Sequence, residues 1–278
     1  MKKGIIFFLH GLSGNVEKYE KYIKELKEFL PLFEIEFILV QSETIYFDFH
    51  KISPLPSIYI NSWYNLEVDE NKIIRPKKSD FLLLVERLDK IIDEIKEKEK
   101  EKEKEKEKEI ELFFIGFSQG ASVVLIMIML SRHKINTGII LAGFLPFFLP
   151  EKKNENERKT LFVAHGENDE IIDFSETEII KKELNYACDI VIKNYPKAKH
   201  FNLLSLSLTD TAIFLTKIFF EKKIEITEKA KGVNKRIFYL GEEKKRLQKV
   251  NEKINEFIFK NFYSFFLRKV NIKFERAE

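Results

Sequence analysis

The sequence predicts an α/β fold, a mostly parallel central sheet covered by helices on both faces, and three observations carry that prediction. Short apolar runs rich in Ile, Val and Phe alternate with longer amphipathic stretches, the rhythm of parallel strands joined by crossover helices. The short runs lack period-two alternation, which marks strands buried on both faces. A chain of 278 residues with a hydrophobic fraction of 44% suits one large core and excludes a disordered polymer.

In order along the chain, residues 5–9, 35–40, 112–115, 138–141, 161–164 and 190–192 are the expected strands, and 16–29, 79–95, 119–132, 175–185 and 203–220 the expected helices. Residues 42–78, with Pro54, Pro56, Pro76 and Trp63, break the rhythm and read as a long surface or functional excursion. Residues 96–109 alternate Lys and Glu. In a helix this pattern has no apolar face, so it is expected to be a solvated helical extension or a disordered loop. Residues 1–220 form the predicted main domain. Residues 221–278 hold 16 Lys/Arg and 9 Asp/Glu, a net +7, against −4 for the rest. Within them Leu247, Val250, Ile254, Phe257, Ile258, Phe262 and Phe265 follow helical spacing. A basic amphipathic C-terminal helical extension is expected, packed on the domain or on a second copy, with an anionic membrane surface as the alternative.

Composition narrows the function classes. A net charge of +3 from 48 basic and 45 acidic residues does not favour a nucleic-acid partner. A single cysteine, Cys188, excludes an internal disulfide framework and fits a reducing compartment. Met1-Lys2-Lys3 and the six apolar residues after them imitate the start of a signal peptide, but the run is too short and ends in His10-Gly11. The longest uninterrupted apolar stretch, 123–130, falls far short of the ~20 residues of a membrane span. The expectation is a soluble, cytoplasmic protein.

The sharpest local signal is Gly116-Phe117-Ser118-Gln119-Gly120 between an expected strand and an apolar helix. This is the context of a nucleophile elbow, in which the chain turns so tightly that side chains two residues either side of the serine would clash. The turn lifts the Ser118 hydroxyl clear of the sheet, and the helix start offers amides to a developing oxyanion. In such elbows the partners follow in the order serine, acid, histidine. Of His10, His50, His133, His165 and His200, the first two precede the serine and His133 ends its own helix. His165 precedes the best acid and reads as a structural, hydrogen-bonding histidine, so His200 remains. Asp169 follows the 161–164 strand, where groups collect at the carboxyl ends of parallel strands. Glu167, Glu170 and Asp173 are alternatives in the same loop. The turn His10-Gly11-Leu12-Ser13-Gly14 can aim the Leu12 amide at an oxyanion, with the Gln119 amide as second donor.

These blocks, with Ser62-Trp63-Tyr64 and Ala142-Gly143-Phe144-Leu145-Pro146, resemble in kind and order the acyl-protein thioesterase/carboxylesterase family of α/β-hydrolases. The resemblance covers residues 4–220. It implies an α/β-hydrolase fold, a catalytic triad of Ser118, Asp169 and His200, oxyanion amides from Leu12 and Gln119, and Trp63 and Leu145 bordering the acyl site. Asn65, the stretch Ser13-Gly14-Asn15 and Ala121 depart from the family's usual pattern, and the first two alter the mouth of the site.

The expected activity is therefore hydrolysis of a carboxylic ester or thioester, on an acylated protein or a lipid, through an acyl-enzyme and without metal or organic cofactor. The competing readings are a non-catalytic binding protein that keeps the fold and a lipid esterase held at a membrane by residues 221–278.

Overall fold

Successive side chains along the central strands enter two different cores, and both cores are apolar. The structure, a computed structural model, describes residues 2–31, 33–47, 58–68, 74–77, 79–102, 109–146, 158–224 and 235–240. Its elements are β1 (Lys2–Leu9), α1 (Glu20–Glu28), β2 (Ile35–Gln41), β3 (Glu43–Phe47), β4 (Ile58–Ser62), β5 (Leu66–Val68), β6 (Ile74–Pro76), α2 (Ser79–Lys102), β7 (Glu109–Phe117), α3 (Gln119–Leu130), β8 (Ile135–Leu141), β9 (Lys159–Gly166), α4 (Glu176–Leu184), β10 (Cys188–Tyr195), α5 (Leu203–Glu221) and β11 (Lys235–Tyr239).

In β1, Ile5, Phe7 and Leu9 join one core while Ile6 and Phe8 join the other. β7 divides the same way, with Leu112 and Phe114 opposite Phe113 and Ile115. Phe7 and Phe114 are register partners and stack at 4.6 Å. Because both faces want apolar residues, the period of two is present in the fold and hidden in the sequence. The first core is closed by Leu84, Leu88 and Ile92 of α2, by α3, and by Ile180 and Leu184 of α4. The second is closed by Ile23 and Leu26 of α1 and Leu215 and Phe219 of α5.

The main sheet runs β10-β9-β8-β7-β1-β2-β11, parallel throughout. From β1 the chain first builds outward through β2 and later, from β7, in the opposite direction. The loops leaving the carboxyl ends of β1 and β7 therefore diverge, and this reversal is where parallel sheets leave room for a ligand.

Three expectations change. Residues 42–78 carry two antiparallel pairs, β3 with β4 and β5 with β6, where no regular structure was expected. The charge run is helical through Lys102 but is not wholly solvated. Glu99 is buried and, with Glu36, binds the Lys3 ammonium at 2.5 and 3.0 Å, because a helical period turns one face of even a Lys-Glu repeat toward the sheet. The stretch after residue 220 also contributes to the sheet: β11 pairs with β2 from Lys235↔Phe37 to Tyr239↔Gln41. The apolar stripe from Leu247 to Phe265, like residues 103–108, lies outside the described residues. Among the described helices, His200–Glu221 is the one long and apolar enough by length and composition to cross a membrane. It packs against α1, β8 and β9 and reads as a core helix.

Candidate active site

Ser118 stands between β7 and α3 with φ 55° and ψ −120°, a backbone conformation that non-glycine residues adopt only under constraint. Its amide donates to Leu141 O at 2.9 Å, and its carbonyl accepts from the Ala121 amide at 2.9 Å. A Cβ on Gly116 would lie 2.3 Å from Gly120 O, and one on Gly120 would lie 2.1 Å from Leu9 O. Both glycines are thus required by backbone packed against backbone. The hydroxyl makes no capping bond to α3 and remains available for chemistry.

The loops after β9 and β10 are drawn together. The amides of Glu167 and Asn168 donate to Tyr195 O and Ala198 O, and Asn168 Nδ2 donates to Pro196 O. Gly166 comes so close that a Cβ there would meet Ala198 O at 2.3 Å. This pairing puts His200 Nδ1 2.7 Å from Asp169 Oδ2, with both side chains fully buried. Asp169 Oδ1 accepts the amides of Ile171 and Ile172, each at 2.9 Å. Burial by itself would raise the Asp169 carboxyl. The hydrogen bonds from His165 and His200, the charge of His200 and the Ile172 amide outweigh it and hold the group well below the usual carboxylate range. The alternatives Glu167, Glu170 and Asp173 are exposed, and Asp173 accepts the Ser175 amide at 2.8 Å in the turn before α4. The His200 ring lies 4.9 Å from that of Phe117, the residue before the serine. His200 is thereby brought beside the elbow, with its Nε2 turned away from the carboxylate.

On the other side of the serine, the turn after β1 is held by a neutral network. Ser13, at φ 55°, donates its amide to Asn61 O at 2.8 Å, and Asn61 Nδ2 donates to Gly14 O. The Trp63 indole donates to His10 O at 2.6 Å. The Gln119 side chain accepts from the Trp63 amide and donates to Ser62 Oγ. Burial pushes the His10 imidazole down from its usual 6.5 to about 4, so it stays neutral. Among the described residues, the amides of Leu12 and Gln119 make no hydrogen bond with another group. Gly11, the neighbour of Leu12, packs so close to the elbow that a Cβ there would lie 3.2 Å from Ser118 Cβ, and Gln119 directly follows the serine.

Trp63 and Leu145 are both buried, Trp63 beneath the β1 turn and Leu145 with its amide on Glu176. His133 sits apart, 3.1 Å from Asp93. His165 directs Nε2 to Ile172 O at 3.0 Å and lies 3.4 Å from Asp169, so it steadies the acid loop. His50 lies outside the described residues. Sequence reasoning missed Gln41, Asn61 and the Tyr64–Ser122 hydroxyl pair at 2.7 Å. Gln41 had one legible signal, its position at the carboxyl end of an expected buried strand.

Comparison with known proteins adds to this geometry. The model of the family described as phospholipase/carboxylesterase matches residues 1–218. The chain is 29% identical over 186 residues, 64% of its length, to an acyl-protein thioesterase 1 homolog of Dictyostelium discoideum, of which the match covers 75%. It is 24% identical over 172 residues to the acyl-protein thioesterase 1 of Yarrowia lipolytica, covering 61% of this chain and 70% of that one. Among solved structures, Zea mays acyl-protein thioesterase 2 superposes with a TM-score of 0.60 at 17% identity, covering 78% of this chain and 94% of that one. Arabidopsis thaliana SOBER1 does so with a TM-score of 0.58 at 19% identity, covering 78% and 99%. At such identities the superpositions speak for the fold alone.

Proposed function

We propose, from the premise that this chain belongs to the phospholipase/carboxylesterase family of α/β-hydrolases, that it is a serine hydrolase that opens carboxylic esters or thioesters through an acyl-enzyme. An esterase- or thioesterase-type hydrolase follows from the family; the residues and the mechanism are our reading. The observation that carries it is the buried Asp169–His200 pair at 2.7 Å, brought beside a serine held at positive φ.

In this mechanism Ser118 Oγ attacks the acyl carbon and His200 Nε2 takes its proton. Asp169, kept ionised by its donors, holds the proton on His200 Nδ1 and stabilises the imidazolium. The amides of Leu12 and Gln119 bind the oxyanion at the end of α3, where the helix dipole adds positive potential. His200 then returns its proton to the leaving oxygen or sulfur, and water activated by the same imidazole releases the acid. The hydrogen bond from Ser118 to His200, not formed among the described contacts, closes when substrate orders the site. The substrate class is an acylated protein or lipid, by analogy with the thioesterases the chain resembles. A cytoplasmic setting rests on the single, buried Cys188.

A fluorophosphonate probe should label the wild type and leave Ser118→Ala unlabelled. A chain-length series of p-nitrophenyl esters and acyl thioesters should be hydrolysed by the wild type alone. Hydrolysis retained in Ser118→Ala would overturn the mechanism.

A further inference from the structure

We infer that β11, which lies beyond the stretch matched to the family, is a working part of the oxyanion side: it holds Gln41, and Gln41 holds the His10 ring that aims the Leu12 amide. This rests on the oxyanion role proposed above for Leu12.

The chain of contacts is continuous. Without β11, β2 would be the edge of the sheet, with its outer hydrogen-bonding groups unpaired. β11 pairs along β2 as far as Tyr239↔Gln41, and the Leu240 amide closes the pairing on Gln41 O at 2.9 Å. The last residue of β2 is therefore fixed at its backbone by the added strand. Its side chain is buried and used at both ends. Oε1 accepts the Val16 amide at 3.0 Å, which assigns Nε2 as the donor facing His10 Nε2 at 3.2 Å. The Ser42 amide also donates to His10 Nε2, at 3.1 Å.

Two donors on one ring nitrogen make it an acceptor and leave the proton on Nδ1. Nδ1 then donates to Gly11 O at 2.8 Å. That carbonyl and the Leu12 N–H belong to one peptide unit. In a trans peptide the two point in opposite directions, so a grip on the carbonyl sets where the Leu12 N–H points, in a turn packed so close to the elbow that a Cβ on Gly11 would lie 3.2 Å from Ser118 Cβ. The Gly14 amide also donates to that oxygen, at 2.9 Å. The opposite tautomer would set a ring lone pair against the Gly11 oxygen and leave the Gly14 amide as its one donor, free to pivot. His10 and Gln41 are positioning residues in this arrangement and touch no substrate.

The test uses the full chain, imidazole nitrogen NMR and steady-state kinetics on a p-nitrophenyl ester. Wild-type His10 should show the neutral Nδ1–H tautomer. Gln41→Leu removes both polar ends of the side chain. Leu240→Pro deletes the one amide that closes the strand on Gln41, and Leu240→Ala keeps it. The first two should show mixed His10 tautomers and a kcat lower by about tenfold or more with KM unchanged, since oxyanion donors act in the transition state. Leu240→Ala should match the wild type in both. A wild-type tautomer and kcat in folded Leu240→Pro would overturn the coupling to β11. If Leu240→Pro does not fold, Leu240→Gly, which keeps the amide but loosens the strand end, should fall between wild type and Gln41→Leu. A wild-type signature there would overturn it equally. A wild type that hydrolyses no ester would sink the proposed function, while the tautomers would still decide whether β11 holds His10.

Discussion

The two halves of the site are built from different physics. At the ends of β9 and β10, one buried carboxylate gathers two backbone amides and a histidine, with a second histidine at 3.4 Å. These are charge-assisted bonds, few and strong. At the ends of β1, β2 and β4, His10, Gln41, Asn61, Ser62, Trp63 and Gln119 form a neutral web, in which each bond contributes about 1 kcal/mol and the number of bonds fixes the geometry. The difference matches the work proposed for each half. One half moves a proton and needs a charge that stays. The other aims backbone N–H groups and must not titrate in the working range.

The largest effect that would break this contrast lies in the charged half. His200→Ala and Asp169→Asn should each lower kcat by roughly 10⁴-fold, because the base or its tautomer is lost. His165→Gln, which keeps a donor near Ile172 O, should cost far less. Steady-state kinetics on one soluble ester decides it. If His165 proved the crippling position, the roles assigned in the acid loop would have to be exchanged.

Where the halves meet, the expected effect is on folding. Gly120 lies under the elbow with Leu9 O where its Cβ would be, at 2.1 Å. Backbone cannot yield as a side chain can, so Gly120→Ala should destabilise the protein by about 3 kcal/mol or more. Urea unfolding would measure it, and a loss under about 1 kcal/mol would mean that β1 and α3 can separate without consequence.

Much of the charged half was legible in the sequence, and most of the neutral half was not. Ser118, Asp169 and His200 are residue types that chemistry singles out, and chain order reduced the choice among five histidines. Gln41, Asn61 and Tyr64 are ordinary polar residues whose meaning depends on which group they meet, and the partners that matter here lie far off along the chain: Gln41 on His10, Asn61 on Gly14, Tyr64 on Ser122. The strands and helices were readable because the apolar runs are short and interrupted at regular spacing. β11 was not, because its partner is β2, nearly two hundred residues earlier, and its own stretch is dominated by charge. Glu99 was hidden for a different reason. A Lys-Glu repeat looks the same on every face until one face is given a lysine such as Lys3 to meet.

Acid should separate the halves by pH window. His10 is depressed from 6.5 to about 4 in the folded state. The unfolded chain therefore binds the proton first, and stability falls as pH drops from about 6.5 to about 4, by roughly 3 kcal/mol in all. Asp169 is also depressed, but its contribution is present above the unfolded carboxylate value and is lost only as pH falls below about 4. His10→Asn should remove the first loss and leave the second. Denaturant midpoints at pH 7, 4.5 and 3 would show it, and a His10→Asn curve parallel to wild type between pH 7 and 4.5 would contradict it.

The smallest effect sharpens the picture of the neutral half. Tyr64 donates to Ser122 Oγ at 2.7 Å, since the Ser122 hydroxyl already donates to Gln119 O at 2.6 Å. Burial raises the Tyr64 phenol above its ordinary range, so it donates at any working pH. Tyr64→Phe takes away one donor, leaves the ring packed at 5.3 Å from Phe81, and leaves Ser122 with its own partner satisfied. The cost should be about 1 kcal/mol of stability. Gln119 keeps its side-chain bonds to Ser62 and the Trp63 amide, so kcat should change by less than about threefold. A larger fall in kcat would mean that the Ser122–Gln119 contact helps set the second oxyanion amide, and that the web aims both donors where the geometry so far traces only one. Kinetics and urea unfolding on the same preparation separate the two outcomes, because a purely structural loss moves the denaturation midpoint and leaves kcat in place.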